Sequence, residues 1–173
     1  MSDLLRFLLI ALFSSGTLAA ALAMLVLLLP NFSVLTAQVL SSMPGRSFLL
    51  GLVNAIFLGI VAIVAWQIGQ SLGGFFGGVF SLGGLSLFFL LGGLGVLGMT
   101  GVVWLLHQRA YGDAAAGLTT LLRISLLCLV ALFSPLLGWL VLTPILFITS
   151  LGATLIALLQ LLRLRSHNPT KAA

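Results

Sequence analysis

From Ile124 to Leu162 the chain runs 39 residues without a charge. As one α-helix that stretch would be about 58 Å long, roughly twice the ~30 Å hydrocarbon core of a bilayer. It is too long for one crossing and too apolar for a solvated surface, so it has to double back. Ser134-Pro135 and Gly138-Trp139 mark the place, because proline removes a helical donor and glycine permits a reversal. The stretch, extended back to Leu118, divides into helices over 118–133 and 138–160 that form a tight hairpin, with Pro144 kinking the second near its start. A re-entrant hairpin is the other way to fold it, and it returns the C-terminus to the same side.

The rest of the chain has the same character. Of 173 residues, 61% are hydrophobic and 5% charged, where a soluble domain carries about 25% charged residues to cover its surface. Further apolar runs over 7–29, 48–68 and 82–106 complete an all-α, polytopic transmembrane bundle of about five spans. It is one membrane domain over 1–173 with a polar C-terminal tail at 163–173. The first run, closed by Pro30-Asn31, has a rival reading as a cleaved signal peptide, with Arg6 before it and Ala21-Leu22-Ala23 as the cleavage site. Its length exceeds the usual 7–15-residue core of such a peptide, and the crossing is preferred. Between the first two runs, Phe32, Leu35, Val39 and Met43 recur at helical spacing with Ser33, Gln38, Ser41 and Ser42 between them. That pattern predicts a short helix lying in the interface, broken by Pro44-Gly45.

Small residues set the expected helix contacts. Ser47, Gly51, Ala55 and Gly59 fall four apart on one helical face, a stripe that lets another helix approach closely. Asn54 lies near that stripe, and an interhelical hydrogen bond is expected of it. Gly69 to Gly84 contains the GxxxG pairs Gly73/Gly77 and Gly74/Gly78. A phosphate-binding loop would need a preceding strand and a following Lys or Ser/Thr, so the segment reads as a flexible connection or a packing surface. Gly92, Gly93, Gly95, Gly98 and Gly101 lower the helicity of the third span and imply tight contact there.

Charge sets the orientation. With five spans, one side receives Arg46, Arg109, Arg123, Arg163, Arg165 and Lys171, and the other receives uncharged turns plus Asp3 and Arg6. The positive-inside rule makes the first side cytoplasmic: a multi-pass cell-membrane protein, N-terminus outside and C-terminus cytoplasmic. Arg123, about one turn into its helix, is expected to snorkel to the interface. The basic residues are scattered singly and form no track for a phosphate backbone, which excludes nucleic acid.

Reactive groups are scarce. Both carboxylates, Asp3 and Asp113, lie outside the spans, and general acid–base catalysis lacks a pair to work with. His107, at the end of the third span, is read as a solvated interfacial residue, against an alternative as ligand to a haem or pigment metal. His167 lies in the polar tail, which makes a bis-His pair within one chain implausible. Cys128 is the only cysteine, so neither a disulfide framework nor a thiolate cluster forms within the chain. Ser14, Ser15, Ser86, Ser125 and Ser134 have no base nearby in sequence to activate them. No cofactor, metal or enzymatic activity is expected.

Three stretches carry a family resemblance: the Arg6-led first run ending at Pro30; Pro44-Gly45-Arg46-Ser47 followed by Gly51; and Ser134-Pro135-Leu136-Leu137-Gly138-Trp139 leading to Leu151-Gly152-Ala153. Together they resemble the bacterial polytopic membrane domain found C-terminal to bactofilin-like polymer-forming domains. The resemblance implies a membrane anchor with no catalytic residues. The function expected is that of an anchor, scaffold or accessory subunit, with membrane lipids and other membrane subunits or further copies of the chain as partners. A channel or carrier for a small or lipid-like solute is the second reading.

Overall fold

The computed structural model describes residues 2–112, 117–133 and 138–167, and among these it contains helices and no strand. Six helices follow one another: α1 (Ser2–Leu28), α2 (Pro30–Ser42), α3 (Pro44–Leu72), α4 (Gly74–Tyr111), α5 (Leu118–Phe133) and α6 (Thr143–His167), the last preceded by a π-helical turn over Gly138–Leu142. Asp113, Ser134-Pro135 and Lys171 lie outside the described residues. Of Asp3, Trp139, Arg165 and His167 only the backbone is described.

α3, α4 and the segment Leu140–Arg163 are each long and apolar enough to cross a membrane. The pair Phe13–Leu28 and Pro30–Ser42, bent by 100°, adds a fourth if taken as one broken span. The chain is thus a membrane protein by length and composition of its helices. α5, with 16 residues, extends about 24 Å, somewhat less than a hydrocarbon core.

The prolines and glycines decide where helices break. Pro30 and Pro44 sit in the first turns of α2 and α3, where a missing N–H costs nothing. Gly73 and Gly74 both have positive φ, 61° and 58°, a conformation that glycine adopts without strain. They close a two-residue turn between α3 and α4. The glycine-rich segment is therefore helical on both sides of one sharp reversal, and α3 and α4 run about 12 residues further toward each other than the sequence spans implied.

Tight backbone contact joins α3, α4 and α6. Along the α3–α4 hairpin, a Cβ on Gly77 would stand 2.6 Å from the Gly69 carbonyl oxygen, and one on Gly84 would stand 2.7 Å from that of Ala62. α6 lies antiparallel to α3: a side chain on Gly51 would strike the Ile148 carbonyl, and one on Gly152 the Ser47 carbonyl. α4 joins the same crossing, where Gly98 abuts the backbone of Ser150 and Gly95 the ring of Phe147. The hydroxyls of Ser150 and Thr154 donate across to the Gly95 and Leu94 carbonyls at 3.1 and 3.0 Å.

α1 and α5 form the other half. α1 lies antiparallel to α5, with Ala19 and Leu22 near Cys128, Leu129 and Leu132, and Ala23 and Val26 near Leu121 and Ile124; Val102 and Val103 of α4 complete these two clusters. α5 packs chiefly on α1, and α6 packs on α3 and α4. Of the hairpin expected of 118–133 and 138–160, the turn end is closed, with Gly138 against the Ala131 and Leu132 carbonyls, but α5 and α6 make little direct contact beyond it. The reason is competition for faces. α6 has its small residues engaged by α3 and α4, and α5 has its interior residues turned to α1.

α2 also departs from expectation. Its buried residues are Ser33, Thr36, Ala37 and Val39, and Met43 at its end is exposed. The small side is inward because α2 crosses α4 at Gly101, where a Cβ would meet Thr36 Cγ2 at 2.6 Å. Ser33 and Thr36 donate to the Leu29 and Phe32 carbonyls, so their burial leaves no hydroxyl unsatisfied. From the antiparallel pairings, Arg46, Arg109, Arg123 and Arg163 lie toward one end of the bundle, and the Gly73–Gly74 turn lies at the other.

The crossing at Gly51 and Gly152 predicts a position-dependent cost. Gly152→Leu should destabilise the protein by about 1–3 kcal/mol, the usual range for overpacking. Gly59→Leu, where nothing lies within 4 Å, should leave the unfolding midpoint in detergent nearly unchanged. Equal losses from the two variants would refute this placement of the crossing.

Candidate functional site

The C-terminal third of α4 is where unusual side chains collect. Trp104, His107 and Tyr111 recur at helical spacing and stack along the helix: the Trp104 and His107 rings are 5.8 Å apart at 25°, and those of His107 and Tyr111 are 5.6 Å apart at 29°. His107 is only 2% exposed. This corrects its reading as a solvated interfacial residue. α4 continues a full turn past it, so His107 sits inside the helix end, flanked by two larger rings.

Three polar atoms in this region are buried without a hydrogen-bond partner: Trp104 Nε1, His107 Nε2 and Ser125 Oγ. Trp104 packs against the cluster formed by α1, α4 and α5, to which Leu121 and Ile124 of α5 belong, and Ser125 follows Ile124 in α5. Leaving such groups unpaired typically costs about 1–3 kcal/mol each. The α3–α4–α6 half contrasts with this, since Ser150 and Thr154 there have acceptors both across the interface and in their own helix.

Beside this region, α4, α5 and the start of α6 enclose a half-open cavity of about 400 Å³. Val102 and Leu106 of α4, Leu127, Cys128, Ala131 and Leu132 of α5, and Leu142 and Leu146 before and within α6 line it. Every lining side chain is apolar or, for Cys128, only weakly polar. Its size falls within the range of about 300–1,000 Å³ typical of ligand pockets. The π-helical turn shapes one wall: Thr143 donates to the Gly138 carbonyl at 2.8 Å, and Pro144 supplies no N–H to the turn before it.

The other sequence candidates are distributed as follows. Gly51 and Gly77 lie at backbone contacts, whereas Gly73 forms the turn, Gly59 faces open space and Ala55 is half-buried. Asn54 donates to the Leu50 carbonyl of its own helix at 2.8 Å, in place of the interhelical bond expected. Its amide finds an acceptor one turn back. Arg109 and Arg123 are exposed. Sequence reasoning missed Ser150 and Thr154, whose four-residue spacing was the available signal, and it missed the Trp104–His107–Tyr111 ladder, which the same periodicity shows. Ser125 carried no signal, because only the tertiary packing buries it.

Among the described residues no group of three or more His, Cys, Asp or Glu is placed to hold a metal ion. Ser86 bonds back to the Leu82 carbonyl. Comparisons with protein families, with curated proteins and with solved structures give no match to this chain.

The orphaned imidazole makes a direct prediction. His107→Phe keeps the stacked ring and deletes an unpaired buried nitrogen, so thermal stability in detergent should hold or rise by about 1 kcal/mol. A clear loss would show that the imidazole has a polar partner in the membrane.

Proposed function

We propose that this chain is a non-enzymatic membrane component, an anchor, scaffold or accessory subunit of a larger assembly, as the resemblance to the bactofilin-associated membrane domain implies. The observation that carries the reading is the α3–α4 hairpin. Gly51, Gly69, Gly77, Gly84, Gly95 and Gly98 are engaged between its own two helices or with α6, while Phe57, Phe75, Phe76, Phe80, Phe88 and Phe89 are exposed, Phe75 and Phe89 at 81% and 73%. Aromatic side chains exposed to this extent are covered by lipid or by protein, and aromatic enrichment is characteristic of protein interfaces. The proposed partners are other membrane subunits or further copies of the chain, with lipid over the remainder.

The same reading has five crossings, the C-terminus cytoplasmic and the N-terminus outside, in the cell membrane. The gathering of Arg46, Arg109, Arg123 and Arg163 toward one end supports it through the positive-inside rule. So does α1, whose 27 residues extend about 40 Å, enough to cross unaided. A second reading, a carrier for a lipid-like solute, is favoured by the carbon-lined cavity between α4, α5 and α6.

Two experiments test these proposals. In mild detergent the protein should migrate with a stoichiometric partner or as a homo-oligomer, and Phe75→Ala/Phe76→Ala/Phe89→Ala should dissociate it; a stable monomer of the unaltered chain would end the scaffold reading. In a Cys128→Ala background, Ser71→Cys should react with an impermeant maleimide applied to intact cells, and Gln108→Cys only after permeabilisation. The reverse pattern would invert the orientation.

A further inference from the structure

We propose that the cavity between α4, α5 and α6 is a binding site for an anionic phospholipid, with an acyl chain in the cavity and the phosphate at Arg109 and Arg123. The cavity is bounded by two helical stripes that both lead to an arginine. On α4, the lining residues Val102 and Leu106 are followed one turn on by Arg109. On α5, the lining residues Ala131 and Leu127 are followed, at the same four-residue interval, by Arg123. The two stripes run in opposite chain directions toward the same end of the bundle, so the arginines stand at the same end of the cavity. Both are exposed.

The chemistry of the occupant follows from this arrangement. A lining of Val, Leu, Ala and Cys offers nothing to a hydrated ion or a sugar and suits a hydrocarbon chain. The half-open wall lets a chain enter sideways from the bilayer. At the mouth, two guanidinium groups present forked donors that match a phosphate. The chain's seven basic residues against two acidic ones leave these cations without enough internal carboxylates to neutralise them. An anionic headgroup is therefore selected over a zwitterionic one, with each arginine near the membrane surface contributing about fivefold. The opening of α5 from α6 is what creates the site, since a tight hairpin would leave no room for a chain. The proposal holds whether the protein scaffolds an assembly or carries a lipid.

The test uses the full chain in nanodiscs of phosphatidylglycerol mixed with phosphatidylcholine, extracted into mild detergent and weighed by native mass spectrometry. The unaltered protein should retain phosphatidylglycerol over phosphatidylcholine by on the order of 30-fold. Arg109→Gln/Arg123→Gln should bring that ratio close to parity, and both positions are exposed, so the fold should survive. Ala131→Leu, which narrows the cavity and leaves the arginines, should lower retention of both lipids. Excess inorganic phosphate should compete weakly, because it lacks the chain. Equal retention of the two lipids by the unaltered protein, retention unaffected by either variant, or full displacement by inorganic phosphate would each overturn the site.

Discussion

Helices in a bilayer gain little from hiding apolar surface, because lipid tails are as apolar as leucine. What holds them is close packing and the hydrogen bonds that proximity permits. In this chain that requirement brings three helices together at one crossing, where Gly51, Gly152 and Gly98 set the backbones of α3, α6 and α4 in contact. The approach is close enough for the Ser150 and Thr154 hydroxyls to reach main-chain oxygens of α4. A side chain at either Gly51 or Gly152 would meet a carbonyl of the opposing helix, so the register between α3 and α6 is fixed to a single residue. With the antiparallel α3–α4 hairpin, that register sends the C-terminus of α6 toward Arg46 and Arg109.

The remaining helices take the surfaces that the crossing leaves. α4 is 38 residues long against 29 for α3, so its C-terminal turns outrun its hairpin partner. α1, α2 and α5 pack around that overhang. α2 reaches α4 at Gly101, one turn past the Gly98 contact, and turns a serine and a threonine inward because only small side chains fit there. α5 finds α6 already engaged and settles on α1. The separation of α5 from α6, and the cavity between them, is thus a consequence of glycine placement elsewhere.

Much of this architecture was readable from the residues. The uncharged stretch after Arg123 required a reversal, and the Ser47–Gly51 spacing marked a face for close approach. The positions of the arginines implied a common end. Illegible were the features set by which helix wins a contested face. Gly73 looked like a GxxxG packing residue, but a pair of adjacent glycines is also the cheapest turn, and the turn prevailed. Asn54 found its acceptor one turn back in its own helix. The apolar stripe of α2 yielded to its small polar side because Gly101 admits nothing larger. His107, beside charged and polar neighbours in sequence, is buried by its flanking rings. Only at α2 was local pattern overridden by a contact far along the chain; at Gly73, Asn54 and His107 one local arrangement prevailed over another.

The bundle is consequently made of two unlike halves sharing α4. Around Gly51 and Gly152 the buried hydroxyls are satisfied and the backbones touch. Around Trp104, His107 and Ser125 three buried polar atoms have no partner, and a cavity of about 400 Å³ lies beside them. Unpaired polar groups and unfilled volume both lower the cost of opening, since less favourable contact is lost when the elements separate. α5 is the shortest of the apolar spans proposed here and packs on α1 and not on α6, so it is the element that can shift while the α3–α4–α6 crossing stays fixed. Movement of α5 would change the cavity and the spacing of Arg109 and Arg123 together, because both features lie between the same two helices. Occupation of that space by a lipid therefore acts on the one part of the fold that is not already locked.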